Sequence, residues 1–178
     1  MTVAEDKFSA IFEETASGIK RRGAYYQEDA GEKGMALLEA KFKDTKLYWL
    51  GDLQEDRIFS ARFFAYGGKV SLVIGETLCT MVEGLTVDEA CSLLKTDVEV
   101  RLRDDPEVPS VPESKMKAFD TVDELLKIVK EQYPSAKGVA IASASIDKAD
   151  FQSTAELNLV AQAWMGLTKD EQKEQIEV

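Results

Sequence analysis

The sequence has no histidine and only two cysteines. Without histidine the chain lacks the commonest proton shuttle at neutral pH and the commonest nitrogen ligand for metals. Any enzyme built from it has to work with Asp, Glu, Lys, Tyr or Cys. The cysteines, Cys79 and Cys91, form no CxxC pair and fall in segments that read as two separate helices. That placement predicts two buried thiols rather than a disulfide or a ligand pair. No stretch reaches the roughly 18 continuous apolar residues of a membrane span, and "MTVAEDKF" lacks the basic-then-apolar run of a secretory signal, so a cytoplasmic protein is expected.

Basic residues are the minority, 22 against 33 acidic ones, for a formal net charge of -11. A field of that sign repels phosphate backbones, so no nucleic-acid partner is expected. The one local basic run, Lys20 to Arg22, reads as the solvated end of a helix, where cations complement the dipole. With 178 residues, 44% of them hydrophobic, the chain supports one real core. The expected organisation is a domain over 1–133 followed by an extension over 134–178.

Local patterns supply the elements. "AEDKFSAIFEETASGIKRR" places Phe8, Ile11, Phe12 and Ile19 along one helical side. "GAYYQEDAGEKG" reads as a glycine-bracketed linker. Alternation in Leu38, Ala40 and Phe42, then in Leu47 and Trp49, with "LQEDR" as a turn before Ile58 to Tyr66, predicts two or three strands. Their connections are too short for a parallel crossover, so the pairing is antiparallel. Phe42, Trp49, Phe59 and Phe63 are assigned to the sheet core.

After Tyr66 the period changes, and "GGKVSLVIGETLCTMVEG" predicts a largely buried helix ended by Gly84. Thr86 with Glu89, Thr121 with Glu124, and Ser153 with Glu156 each match a capping box at a helix start. Between the first two lies "RDDPEVPSVPESK", an acidic, proline-punctuated connection. Pro134 is expected to end the preceding helix, "KGVAIASASID" is open between a strand and a small-residue segment, and Trp164 sits on a last predicted helix as a core anchor or a dimer contact. The fold class that results is α+β, a small antiparallel three-stranded sheet packed against helices.

The order "ARFFAYGG", helix, "VEGLTVDEA" resembles the NifU/IscU scaffold domain of iron-sulfur cluster assembly (SufE/NifU-like fold). Ala61, Arg62, Phe63, Tyr66, Gly67, Gly84, Thr86, Glu89 and Ala90 match its pattern, and the resemblance covers roughly residues 35–130. It implies a cluster held by three cysteines, with help from an aspartate and in many members a histidine. The cysteine of its Phe-Gly-Cys-Gly loop falls on Gly68, after Gly67. The cysteine of its Ala-Cys-Gly-Asp turn falls near Phe42 in "KFKD", with Asp44 as the match to the aspartate, and that of its Lys-Leu-His-Cys stretch falls on Ala118, with Lys117 where a histidine could stand. All three thiolates are missing, so these six positions are read as a vestigial site.

Elementary coordination chemistry points the same way. A four-coordinate iron or zinc site needs thiolate or imidazole ligands at about 2.3 Å. Two helical cysteines without histidine do not close one, and no cofactor or metal is expected. The expected function is that of a degenerate, non-catalytic scaffold-fold protein that binds a protein partner or a second copy of itself, in the context of iron-sulfur assembly. One alternative is a working scaffold in which Asp44 or Cys79 joins ligands supplied by a partner or a second copy. The other is a small-molecule-binding protein or enzyme using a pocket beside Gly67 and Gly68; Tyr25, Tyr26, Lys41, Lys43, Arg62 and Lys69 are candidates to line a small anionic pocket, though scattered residues of this kind more often form a solvated face or core edge. The adjacent carboxylates Asp104 and Asp105, or Glu55 and Asp56, sit on turns that do not fix the separation that acid and base roles require. "GGK" lacks the spacing of a phosphate loop.

Overall fold

The computed structural model describes residues 7–152, and their side chains through 143. The order is α1 (Ala10–Ser17), α2 (Gln27–Lys33), β1 (Met35–Phe42), β2 (Thr45–Asp52), β3 (Ile58–Ala65), α3 (Lys69–Val82), α4 (Val87–Cys91), α5 (Lys95–Arg101), a 3-10 segment (Glu113–Phe119) and α6 (Asp120–Gln152). The chain divides into two compact units, Met1–Ile141 and Ala142–Val178. The sheet and the core described below belong to the first.

The three strands form an antiparallel sheet in the order β1-β2-β3, which is the expected α+β arrangement. Alternation decides its faces. Leu38, Trp49 and Ala61 pair across one row, and Ala40, Leu47 and Phe63 across the next; all six are buried against the helices. α3 lies on this face with Val73, Ile74, Leu78, Cys79 and Val82 inward. The approach is close because of Gly75: a Cβ there would stand 2.4 Å from the Phe63 ring. The core is completed by Phe12 of α1, Val98 of α5, Phe119, and Val122, Leu125 and Val129 of α6.

The sheet's other face carries a second, smaller cluster. Tyr25, Ala30, Leu37 and Leu50 are buried there, with Met35 and Tyr48 packed on them. α2 thus covers one end of this face, and the segment expected to be a linker is a helix. Its start is fixed by Asp29, whose carboxylate accepts from Tyr26 N at 2.7 Å, and its end by Gly34 in the left-handed conformation, φ 65.

Several other expectations change. Lys20 to Arg22 is not a helix end: α1 stops at Ser17, and the run lies along the free edge of β3. Gly23 N donates to Phe63 O at 2.9 Å, and Phe63 N donates to Arg21 O at 3.1 Å. This placement brings Arg21 to the carboxylates of Glu76 (3.3 Å) and Glu83 (2.6 Å) on α3 and its end. Glu76, almost fully buried, also accepts from Lys20 N and Arg21 N. The unsatisfied edge of the sheet and a buried carboxylate together recruit the basic run, a long-range demand that local charge pattern does not encode.

Phe59 is exposed rather than in the core. The pairing moves from Leu50 opposite Ser60 to Gly51 opposite Ile58, so Phe59 is the extra residue of a bulge and leaves the alternation. Thr86 and Glu89 do form the expected reciprocal cap, at 3.1 and 2.9 Å. Thr121 does not cap a helix, because the 3-10 segment feeds directly into α6 and Thr121 is already helical. α6 also runs through Pro134 and absorbs the stretch left open as a strand. Ser153, Glu156 and Trp164 lie outside the described residues. Among the described residues, no helix is long and apolar enough to cross a membrane.

Candidate functional site

The β1-β2 turn, the loop between β3 and α3, and the 3-10 segment carry the six positions singled out by the resemblance. The first two are joined through Asp44. Its main-chain oxygen accepts from Tyr66 N at 3.0 Å. Its carboxylate accepts from Ser71 Oγ at 2.8 Å and from Thr45 Oγ1 at 3.2 Å. Asp44 therefore ties the hairpin to the first turn of α3 rather than standing free on the surface.

Gly67 is a consequence of that contact. A Cβ at this position would lie 1.5 Å from Asp44 Oδ2 and 2.8 Å from Ser71 Oγ, so any larger residue has to displace the carboxylate from its bond to Ser71. Gly68, before the first residue of α3, has φ 108 and ψ -165, a conformation that L side chains rarely adopt. A Cβ there meets nothing within 4 Å, so there is room for a side chain but not the backbone for one. Lys43, on the turn beside Phe42, has φ 52 and is one of two described non-glycine residues with positive φ.

The third segment reaches the same end of the molecule through charge. Lys95 Nζ donates to Asp120 Oδ1 at 2.6 Å, and this bond chiefly holds the Asp120 carboxyl below its usual range. Lys43 and Lys117 lie near enough to act in the same direction. Phe42 and Ala118 are half-buried and pack on the main core. The three positions assigned to thiolates thus carry an aromatic ring, no side chain and a methyl group. Each has a lysine beside it in sequence: Lys43, Lys69 and Lys117. Among the described residues no group of three or more Cys, Asp or Glu side chains is arranged to hold a metal ion.

The cysteines stand elsewhere. Cys79 is fully buried in α3, and burial pushes its thiol well above the usual range. Cys91, at the end of α4, is only half-buried, a partial correction to the expectation of two buried thiols; burial pushes it up to about 11. Both are therefore thiols rather than thiolates at neutral pH, and neither is poised as a nucleophile or ligand.

The remaining candidates have structural partners. Asp104 accepts from Ala10 N and Ile11 N at 2.7 and 3.0 Å and caps α1. Asp105 accepts from Glu107 N at 2.9 Å. Glu55 pairs with Arg57, while Asp56 accepts from Tyr133 Oη and from Lys137 Nζ, the latter at 2.6 Å. Arg62 stacks over the Tyr25 ring at 4.2 Å, and Tyr25 Oη bonds Ser60 Oγ at 2.6 Å. Lys69 pairs with Glu13 at 2.6 Å and lies 4.6 Å from the centre of the Phe8 ring. Of the six residues proposed as pocket lining, Tyr25 and Arg62 thus belong to one cluster and Lys69 to another. Ser71, the partner that decides the role of Asp44, gives no signal in the sequence; it is one of several polar residues on α3, with Lys69, Glu76, Thr77 and Thr80.

No curated protein matches this sequence. The family model of the NifU-like N terminal domain matches residues 43–140, more than half of the chain, and spans the β1-β2 turn, the Gly67-Gly68 loop and the 3-10 segment. The chain belongs to the NifU-like N-terminal domain family.

Proposed function

We propose that this chain is a non-catalytic, protein-binding or accessory module of iron-sulfur cluster assembly that does not itself hold the cluster. Membership of the family implies a function related to cluster assembly. The observation that carries the finer reading is the chemistry of Phe42, Gly68 and Ala118, which offer no sulfur, nitrogen or oxygen side-chain donor where the family resemblance assigns thiolates. Iron in a cluster is bound through soft thiolate donors, and neither hydrocarbon nor lysine ammonium replaces them. A fold can persist under such a loss because core packing and site chemistry are specified by different residues. What remains is a folded surface, and its partner is a protein or a second copy of the chain rather than a nucleic acid, given the net charge of -11.

A scaffold completed by partner ligands would draw on Asp44 or Cys79. The Asp44 carboxylate is committed to Ser71 and Thr45, and Cys79 has no exposed surface. The test is metal analysis, visible absorption and light scattering on protein purified anaerobically from its native host. Iron at trace level, with a co-purifying protein or a defined oligomer, is the expected result. Stoichiometric iron with charge-transfer bands overturns the proposal.

A further inference from the structure

The face of the sheet turned away from the main core is only partly covered. α2 closes the end that carries Leu37 and Leu50. Towards the β1-β2 turn the rows are Glu39, Tyr48 and Arg62, then Lys41, Lys46 and Phe64. Tyr48 and Phe64 meet edge to face at 6.1 Å, and Phe64 stacks on Tyr66 at 6.1 Å and 17°. The result is a ladder of three rings that crosses from β2 to the residue before Gly67. Tyr66 is 74% exposed, the most exposed large hydrophobic residue described. Tyr48 and Phe64 are half-buried, and Tyr48 is held by Lys46, whereas Tyr66 has no hydrogen-bond partner for its hydroxyl among the described residues.

Charge at this end is opposite to that of the whole chain. Lys46 lies 4.8 Å over the Tyr48 ring and pairs with Glu39 at 3.4 Å. Lys41 and Lys43 are exposed and form no ion pair among the described residues. A chain with net charge -11 thus presents two ammonium groups with no ion pair among the described residues, Lys43 with Asp120 in its field, beside three neighbouring rings. Rings and cations at an interface anchor a partner, and the local sign selects which partner.

We infer that the ladder of Tyr48, Phe64 and Tyr66, flanked by Lys41, Lys43 and Lys46, docks an acidic protein segment bearing an aromatic or aliphatic anchor. This deepens the proposed function, on which it rests, by naming a surface and the chemistry of what it binds. Carboxylates of the segment meet Lys41 and Lys43, while its anchor lies on Phe64 and Tyr66. A nucleic acid would also bring anions and stacking bases, but its long-range charge is repelled by the rest of the chain, whereas a short acidic segment engages only the lysine end.

The test uses the full chain, isotope-labelled, titrated with a synthetic peptide alternating glutamate and phenylalanine and followed by amide and side-chain NMR. The expected result is saturable shifts at Lys41, Tyr48, Phe64 and Tyr66 that weaken with salt. Lys41→Glu with Lys43→Glu should lower affinity by about tenfold or more, with the circular dichroism spectrum and melting temperature kept. Tyr66→Ser gives a second, charge-neutral loss. Four results overturn the inference: no shifts, shifts elsewhere on the chain, equal binding of a lysine-phenylalanine peptide, or preference for a single-stranded oligonucleotide. Shifts elsewhere leave the protein-binding reading in place and remove only this face, whereas stoichiometric iron in the metal analysis removes that reading whatever the peptide does.

Discussion

The two ends of the sheet obey different rules. Through its middle, β2 and β3 set Trp49, Leu47 and Phe63 against α3, with Gly75 admitting the Phe63 ring at contact distance. At the turn end, Phe42, Gly68 and Ala118 stand where the family resemblance puts cluster ligands, and Asp44 is occupied with Ser71. The middle is fixed by volume, for which any departure costs stability. The turn end is fixed by hydrogen bonds and backbone conformation, and its chemistry is free to change without unfolding the domain. On the proposed reading, a family fold with altered site residues is the physical outcome of that division.

Substitutions sharpen the contrast. The largest effect belongs to the middle: Phe63→Ala empties the space between β3 and α3 and should cost about 3–5 kcal/mol in urea unfolding. Next is Arg21→Ala, which leaves Glu76 buried without its cation. A fully buried pair loses about 3–5 kcal/mol in this way, and the partial exposure of Arg21 reduces the expected loss to about 2–3 kcal/mol.

At the turn end the effects are smaller and coupled. Gly67→Ala drives a methyl group into Asp44 and should cost about 1–3 kcal/mol. In an Asp44→Ala background the same change should cost distinctly less, a coupling of about 1 kcal/mol in a double-mutant cycle. Equal costs in both backgrounds would show that the contact does not fix the loop. Lys43→Asn, at a left-handed turn position that asparagine tolerates better, should raise stability by about 0.5 kcal/mol.

Acid probes a third place, where Glu99 of α5 meets the loop that follows it. Burial pushes the Glu99 carboxyl up, but Arg103 and the amide and hydroxyl of Ser110 outweigh it and hold the group below its usual range. The unfolded chain then binds this proton more readily than the native one. Its contribution is present above the ordinary glutamate value and is lost as pH falls through the lowered native one. Stability should decline with acid in that window, and Glu99→Gln should flatten this part of the profile while lowering stability at neutral pH.

Sequence pattern alone reveals the middle of the molecule well and the ends poorly. Strand alternation finds Leu38, Leu47 and Trp49, and the Thr86-Glu89 pair finds the start of α4, because both are local consequences of period and capping. The bulge at Phe59, the run of Lys20 to Arg22 along β3 and the passage of α6 through Pro134 depend on partners far away in sequence. The site divides in the same way. The absence of ligand cysteines can be read directly, while the bond from Ser71 to Asp44 that gives Gly67 its role is visible only in three dimensions.

The most direct measurement is anaerobic reconstitution of the purified full chain with ferrous iron and sulfide, followed by desalting and determination of iron and acid-labile sulfide per chain. The account predicts that neither is retained above trace and that the visible spectrum stays featureless while the fold is intact. Retention of iron and sulfide in stoichiometric amount by the chain alone would contradict it.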